Sequence, residues 1–116
     1  MSLKSWINVG MSMHFNDQDW RAFVRLRERA RERFAEQTLA RVLRIALDES
    51  SPASERESQL GDLIAERRRE QAALFEDFRR TTASLRLHMM VQRGLVEESE
   101  LDVFTLAVRR SLMPQA

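Results

Sequence analysis

Thr81-Thr82-Ala83-Ser84-Leu85-Arg86-Leu87-His88-Met89-Met90-Val91 holds a single charge, Arg86, in a chain of which 32% is Asp, Glu, Lys or Arg. At 100° per residue, Leu85, His88 and Met89 share one side of a helix while Ala83, Leu87, Met90 and Val91 cover much of the other. A helix that is apolar nearly all round is buried. Arg79 and Arg80 stand before it and Arg93 and Gly94 close it, so the pattern predicts a short central helix over about 80–93. Longer, charged, one-faced helices must then cover it.

The composition agrees with that picture. A chain of 116 residues has room for one domain and buries roughly two-thirds of the surface its unfolded form exposes. Three Gly, two Pro and no Tyr leave little turn chemistry, while Ala, Leu, Arg, Glu and Gln are good helix formers. The class is all-α: a small helical bundle with one long antiparallel hairpin and two shorter helices. Having no cysteine, the chain forms no disulfide and offers neither thiolate catalysis nor Cys-ligated metal. No run of 18 apolar residues is present, and the opening MSLKSWINVGMSMHF lacks the apolar core of a secretion signal. A cytoplasmic protein with no membrane contact is expected.

Residues 1–15 read as an extended arm, because Val9, Met11, Met13 and Phe15 alternate with Gly10, Ser12 and His14 at a period of two. Exposed, so apolar an arm is a sticky patch, which argues for cover by the bundle or a second subunit. Met11 and Met13 are alternative initiators, which leaves the nativeness of residues 1–12 open. Residues 16–116 form the single helical domain.

Asn16 can accept from a free backbone N–H, Asp17 and Asp19 suit the positive end of the dipole, and Phe15 and Trp20 have staple spacing. A first helix over about 16–48 follows, with no Gly or Pro before Ser50-Ser51-Pro52. Such a helix is roughly 50 Å long, more than a 13.6 kDa globule needs, so it bends or pairs along its length. Ser51 before Pro52, or Ser54 with Glu57, starts a second helix over about 52–77. Gly61, at a cost of about 1 kcal/mol against Ala, suggests a bend or a close crossing. A change in apolar phase near Asp77-Phe78 predicts a break there. Gly94 and Leu95 fit a Schellman stop, and Glu97, Glu98 and Glu100 open a last helix over about 97–112 with Leu101, Phe104, Leu106, Val108 and Leu112 on its apolar side.

Signals for catalysis are weak. His14 and His88, the two histidines, lie on different elements and complete no metal-ligand spacing, and His88 suits a hydrogen-bonded core histidine. Pairs such as Glu28/Glu32 and Glu66/Glu70 have arginine neighbours at helical spacing, the pattern of a solvated face. No phosphate loop or nucleophile elbow is present. Neither enzyme activity nor a cofactor is expected. The stretch LRLHMMVQRGLVEESEL invites a helix-turn-helix reading, but Glu97, Glu98, Glu100 and Asp102 would then face phosphates.

Eighteen arginines stand against one lysine. A GC-rich genome explains much of that ratio, yet placement matters: eight arginines face three glutamates between Arg21 and Arg44, a local charge of +5. If Arg21, Arg25, Arg29 and Arg33 bind phosphate backbones, this is an accessory nucleic-acid-binding protein, although interleaved glutamates oppose that reading. Arg27 and Arg31 instead fall on the apolar stripe of helix one, and Arg67 with Gln71 on that of helix two. Packing the stripes gathers like charge, and buried arginine needs acidic partners. Nearby acids, from Glu70, from Asp77 or from the acidic turn at Glu97 to Glu100, favour a closed ion-pair network; without them the four residues line a site for a small anion or a partner's acidic side chain. The function expected is a non-catalytic protein-interaction or regulatory protein acting as a small helical homodimer, with nucleic-acid binding as the alternative.

Overall fold

The structure, a computed structural model, describes residues 14–112, among which 
no strand occurs. Helix α1 (Asp17–Ala46) opens with a reciprocal capping box, in which the Asn16 side chain accepts from the Asp19 N–H at 2.8 Å and Asp19 accepts from the Asn16 N–H. The flanking rings anchor this end. Phe15 packs on Phe23 and Phe104, and Trp20 packs on Phe23 and Phe78. The part of the apolar arm before His14 lies outside the described residues.

α1 runs 30 residues without a break in a molecule 51 Å long and 29 by 27 Å across. The helix is embedded over its first half and leaves the body over its second. Ala22, Phe23, Leu26, Ala30 and Phe34 are buried at helical spacing, whereas nothing from Ala35 to Ala46 is. The far half pairs with α2 (Ala53–Gln71), whose only buried residue is Arg67. α1 and α2 thus form an antiparallel hairpin that is half embedded and half projecting.

The hairpin turn is closed by polar groups. Asp48 accepts from the backbone and hydroxyl of Ser50, and Arg56 donates to the carbonyls of Ala46 and Ser51, satisfying the end of α1. Pro52 occupies the N-cap of α2 itself, with no side-chain cap, so the Ser51 and Ser54 caps expected from sequence are not used. Proline's fixed φ serves the turn equally well from that position. Gly61 marks no close crossing, since a Cβ there would meet nothing within 4 Å.

α2 ends in a π-helical turn (Ala72–Glu76). The wider turn resets the angular phase, which lets the adjacent Leu74 and Phe75 both enter the core; Gln71, just before it and expected on the apolar stripe, is exposed. An extended stretch from Asp77 to Arg79 and a 3-10 turn (Arg80–Thr82) follow, so the break falls where the apolar phase changed. Helix α3 (Ala83–Gln92) is the central element: Ala83, Ser84, Leu87, His88 and Met90 are buried. Its stop is a Schellman motif, with Gly94 at φ 70°, Leu95 N–H bonded to Met90 O, Gly94 N–H to Val91 O, and Leu95 buried behind.

The last segment differs from the single helix expected. It is a 3-10 segment (Glu98–Val103) and a short helix α4 (Leu106–Ser111), separated at Phe104 and Thr105. Two demands break it. Phe104 is drawn into the core beside Phe15, and the Thr105 N–H and hydroxyl both turn to the Asp19 carboxylate at 2.8 and 3.1 Å. Leu106, placed by sequence on the apolar side, is consequently exposed.

Candidate functional site

Arg67 sits at the root of the hairpin with its side chain 6% exposed. Its guanidinium lies 3.6 Å from the Phe34 ring centroid, and it donates to Thr38 Oγ1 at 2.8 Å, Phe34 O at 3.1 Å and Gln37 Oε1 at 3.4 Å. The nearest carboxylate oxygen, on Glu70, stands at 3.5 Å, and Glu70 also binds Arg93. Burial pulls the Arg67 guanidinium below its ordinary value, the charge of Arg41 adding to the effect. Phe34 O is already in the helix ladder and Thr38 bonds to it too. The group is therefore closed mainly by neutral acceptors and an aromatic face, with one carboxylate at the edge.

Arg27, one turn from Arg31, divides its bonds in the same way. It donates to Phe75 O at 2.5 Å, lies 4.2 Å from the centroid of the Phe78 ring, and shares the exposed Glu28 carboxylate with Arg31, at 3.3 and 3.5 Å. Burial lowers its pKa and the Arg31 charge lowers it further. Arg31 points to the surface. Arg27, Arg31, Arg68, Gln71 and Phe75 border a cavity of about 600 Å³ with Glu76 as its acidic wall. A second cavity of about 300 Å³ continues from Arg31, Arg68 and Gln71 to Thr38, Leu39 and Ile64. Of the four residues the sequence singled out, Arg67 is buried at the base of the second cavity, while Arg27, Arg31 and Gln71 meet at the first. Arg68 completes it.

The acidic turn expected to serve those stripes serves others. Glu100 binds Arg33 bidentately, at 2.5 and 3.1 Å, and Arg29 at 3.1 Å. Arg33 also reaches Leu95 O at 2.9 Å. The Arg33 hydrogen bond holds the Glu100 carboxyl below its usual range and raises the Arg33 pKa. Two of the four candidate phosphate-binding arginines are thus spent on tying the 3-10 segment to α1. Arg21 and Arg25 remain exposed beside a small apolar cleft between Trp20 and Val24. Asp77, read as a partner for the inner stripe, binds Arg79 and Arg86 instead.

These shifts fix a pH profile. Burial lowers the His88 pKa, so the native chain resists a proton that the unfolded chain takes up near the ordinary value of 6.5. Stability from this source is complete above that pH and declines as pH falls below it. Glu100 contributes a second decline through the carboxylate range. The urea midpoint is expected to fall between pH 7 and 5.5 in the native sequence and to stay flat there in His88→Met.

The strongest surface feature was not singled out from sequence. Leu39, Leu43 and Leu47 are 62%, 59% and 72% exposed, a stripe at i, i+4 and i+8 along the projecting half of the hairpin. Val42, Ile45, Leu60, Leu63 and Ile64, which face across it, are only half-buried. The tip beyond carries Asp48, Glu49, Glu55 and Glu57, all exposed, against the committed Arg56. The i, i+4 leucine repeat was the legible signal, but the search for one buried face hid it.

Among the described residues no group of three or more His, Asp or Glu side chains is placed to hold a metal, and no helix is long and apolar enough to cross a membrane. Comparison of the chain with protein families, curated proteins and solved structures returns no match.

Proposed function

We propose that the protein is a non-catalytic interaction or regulatory protein that works as a homodimer, with the projecting α1–α2 hairpin as its contact surface. One observation supports this above others: three large leucines lie exposed in a row on a hairpin that, from Ala35 to Glu66, buries no apolar residue. Two helices alone cannot enclose a core, and contiguous exposed apolar surface marks an interaction site. A cytoplasmic setting suits a chain with no cysteine to oxidise. Sedimentation equilibrium at micromolar concentration tests the reading. The native sequence is expected at twice 13.6 kDa, and Leu39→Glu with Leu43→Glu at the monomer mass with unchanged helicity; a native monomer would refute it.

Nucleic-acid binding by α1 is the second reading, favoured by Arg21 and Arg25 having no acidic partner among the described residues. With Arg29 and Arg33 engaged by Glu100, too few free arginines stand in line for a phosphate backbone. A gel shift that fades steeply with salt and is lost in Arg21→Glu, Arg25→Glu would reverse the ranking.

A further inference from the structure

The groove at the hairpin root carries Arg27, Arg31 and Arg68 against Glu28 and Glu76, and the hairpin tip carries Asp48, Glu49, Glu55 and Glu57 against Arg44 and Arg56, so the root is left net basic and the tip net acidic. We infer that the two belong together across a two-fold axis: a second copy lies antiparallel along the hairpin and places its tip carboxylates in the arginine-lined groove. This inference rests on the homodimer reading and specifies its site.

The register follows from the residues. Arg31, Arg68 and Gln71 line both cavities, the second of which ends at Leu39 and Ile64. The groove therefore runs without interruption from guanidinium to leucine. Position 39 is midway between 31 and 47, so a two-fold axis beside Leu39 sets Leu43 against Ala35 of the partner subunit and Leu47 against Arg31 of the partner subunit. Asp48 and Glu49 then follow directly into the basic end. The span from 31 to 47 is roughly 24 Å of helix, and α2 runs beside it for the same distance, which puts Glu55 and Glu57 on the entering tip.

Charge sets the orientation. Arg31 is only loosely held, at 3.5 Å from a carboxylate it shares with Arg27, and no ion pair forms to Arg68 among the described residues. Guanidinium forks take carboxylates bidentately, and each of these is better satisfied by the entering tip than by the exposed Glu28. A parallel pairing would set tip on tip and root on root, two like-charge contacts in place of two attractive ones. Apolar burial in the middle and opposite charge at both ends make the surface self-complementary, as a two-fold interface requires. Two hairpins packed in this way form a four-helix core, which encloses the half-buried Val42, Ile45, Leu60 and Ile64.

Two chains with swapped charge test this. Arg31→Glu with Arg68→Glu reverses the groove, and Asp48→Lys with Glu49→Lys reverses the tip. Each alone is expected to lose roughly a hundredfold in self-association, and an equimolar mixture to recover a heterodimer, because both ends then match. Because the chain has no cysteine, Leu39→Cys supplies a single thiol, expected to form an intermolecular disulfide under mild oxidation. A native dimer that ignores both swaps, swapped chains that fail to recover on mixing, or a dimer in which Leu39→Cys does not cross-link would overturn the register and leave the homodimer standing. A native monomer would remove both.

Discussion

Phe23→Ala is expected to cost about 3–5 kcal/mol, the range for truncating a buried aromatic. Phe23 is 2% exposed and its ring meets those of Phe15, Trp20 and Phe78, so the loss empties the point where the start of α1 joins the Asp77–Arg79 break. Against a total of about 5–15 kcal/mol for a domain, that brings the protein near unfolding. A melt followed by circular dichroism should fall by more than about 12 °C, at about 4 °C or more per kcal/mol for a chain of this size. Leu43→Ala, in the same helix and measured in dilute solution, is expected to change it by less than about 0.5 kcal/mol, as surface substitutions do. Equal effects at the two positions would contradict the division of α1 into an embedded and a projecting half.

Asp19→Ala carries the second large effect, about 3–4 kcal/mol. Its carboxylate is 1% exposed and accepts from the Thr105 N–H, the Thr105 hydroxyl and the Asn16 N–H. A hydrogen bond to a charged group contributes about 1.5–3 kcal/mol and a buried donor left without a partner adds its desolvation, but bonds that share one carboxylate do not add, and water entering the space left by the side chain restores part of the loss. Half of the α1 capping box is lost in the same step. Denaturant titration should register the loss, and amide exchange at residues 105–112 should rise more than at 83–92. An exchange pattern that rises evenly would mean that Asp19 is a local cap without a tie to the C-terminal segment.

The elements that were legible in sequence are those decided by local chemistry. Asn16 as a cap, the apolar run from Ala83 to Met90, and Gly94 with Leu95 each name a structure through contacts within five residues. What sequence hid was decided over distance. Asp19 looked like a dipole residue because its partner, Thr105, lies 86 positions away, and that same bond is what splits the last helix. The π-helical turn was invisible because a change of phase at Leu74 and Phe75 fits a kink equally well. Arg67 was placed on an inner face correctly, but periodicity cannot say that a ring and a carbonyl, more than a carboxylate, receive it.

The groove shows the same division. Arg27, Arg31 and Gln71 could be grouped from helical spacing alone. Arg68, three residues before Gln71 on the same helix, lies within reach of the same reasoning but at the edge of the apolar stripe, which hides it. Of the acids expected among them, Glu70 does stand beside Arg67, whereas Glu97 and Glu100 serve Arg33, and Asp48, Glu49, Glu55 and Glu57 gather at the far end of the hairpin. One chain thus holds both members of a charge pair at opposite ends of an apolar stripe.

Hydrogen exchange as a function of protein concentration tests most directly whether the hairpin depends on a partner. At high dilution, amides of 37–46 and 57–66 should exchange far faster than those of α3, because no buried apolar side chain holds them. With rising concentration they should slow by an order of magnitude or more while α3 and the first half of α1 stay unchanged. Hairpin amides as protected at dilution as those of α3, at every concentration, would show that the hairpin is stable alone and contradict the account.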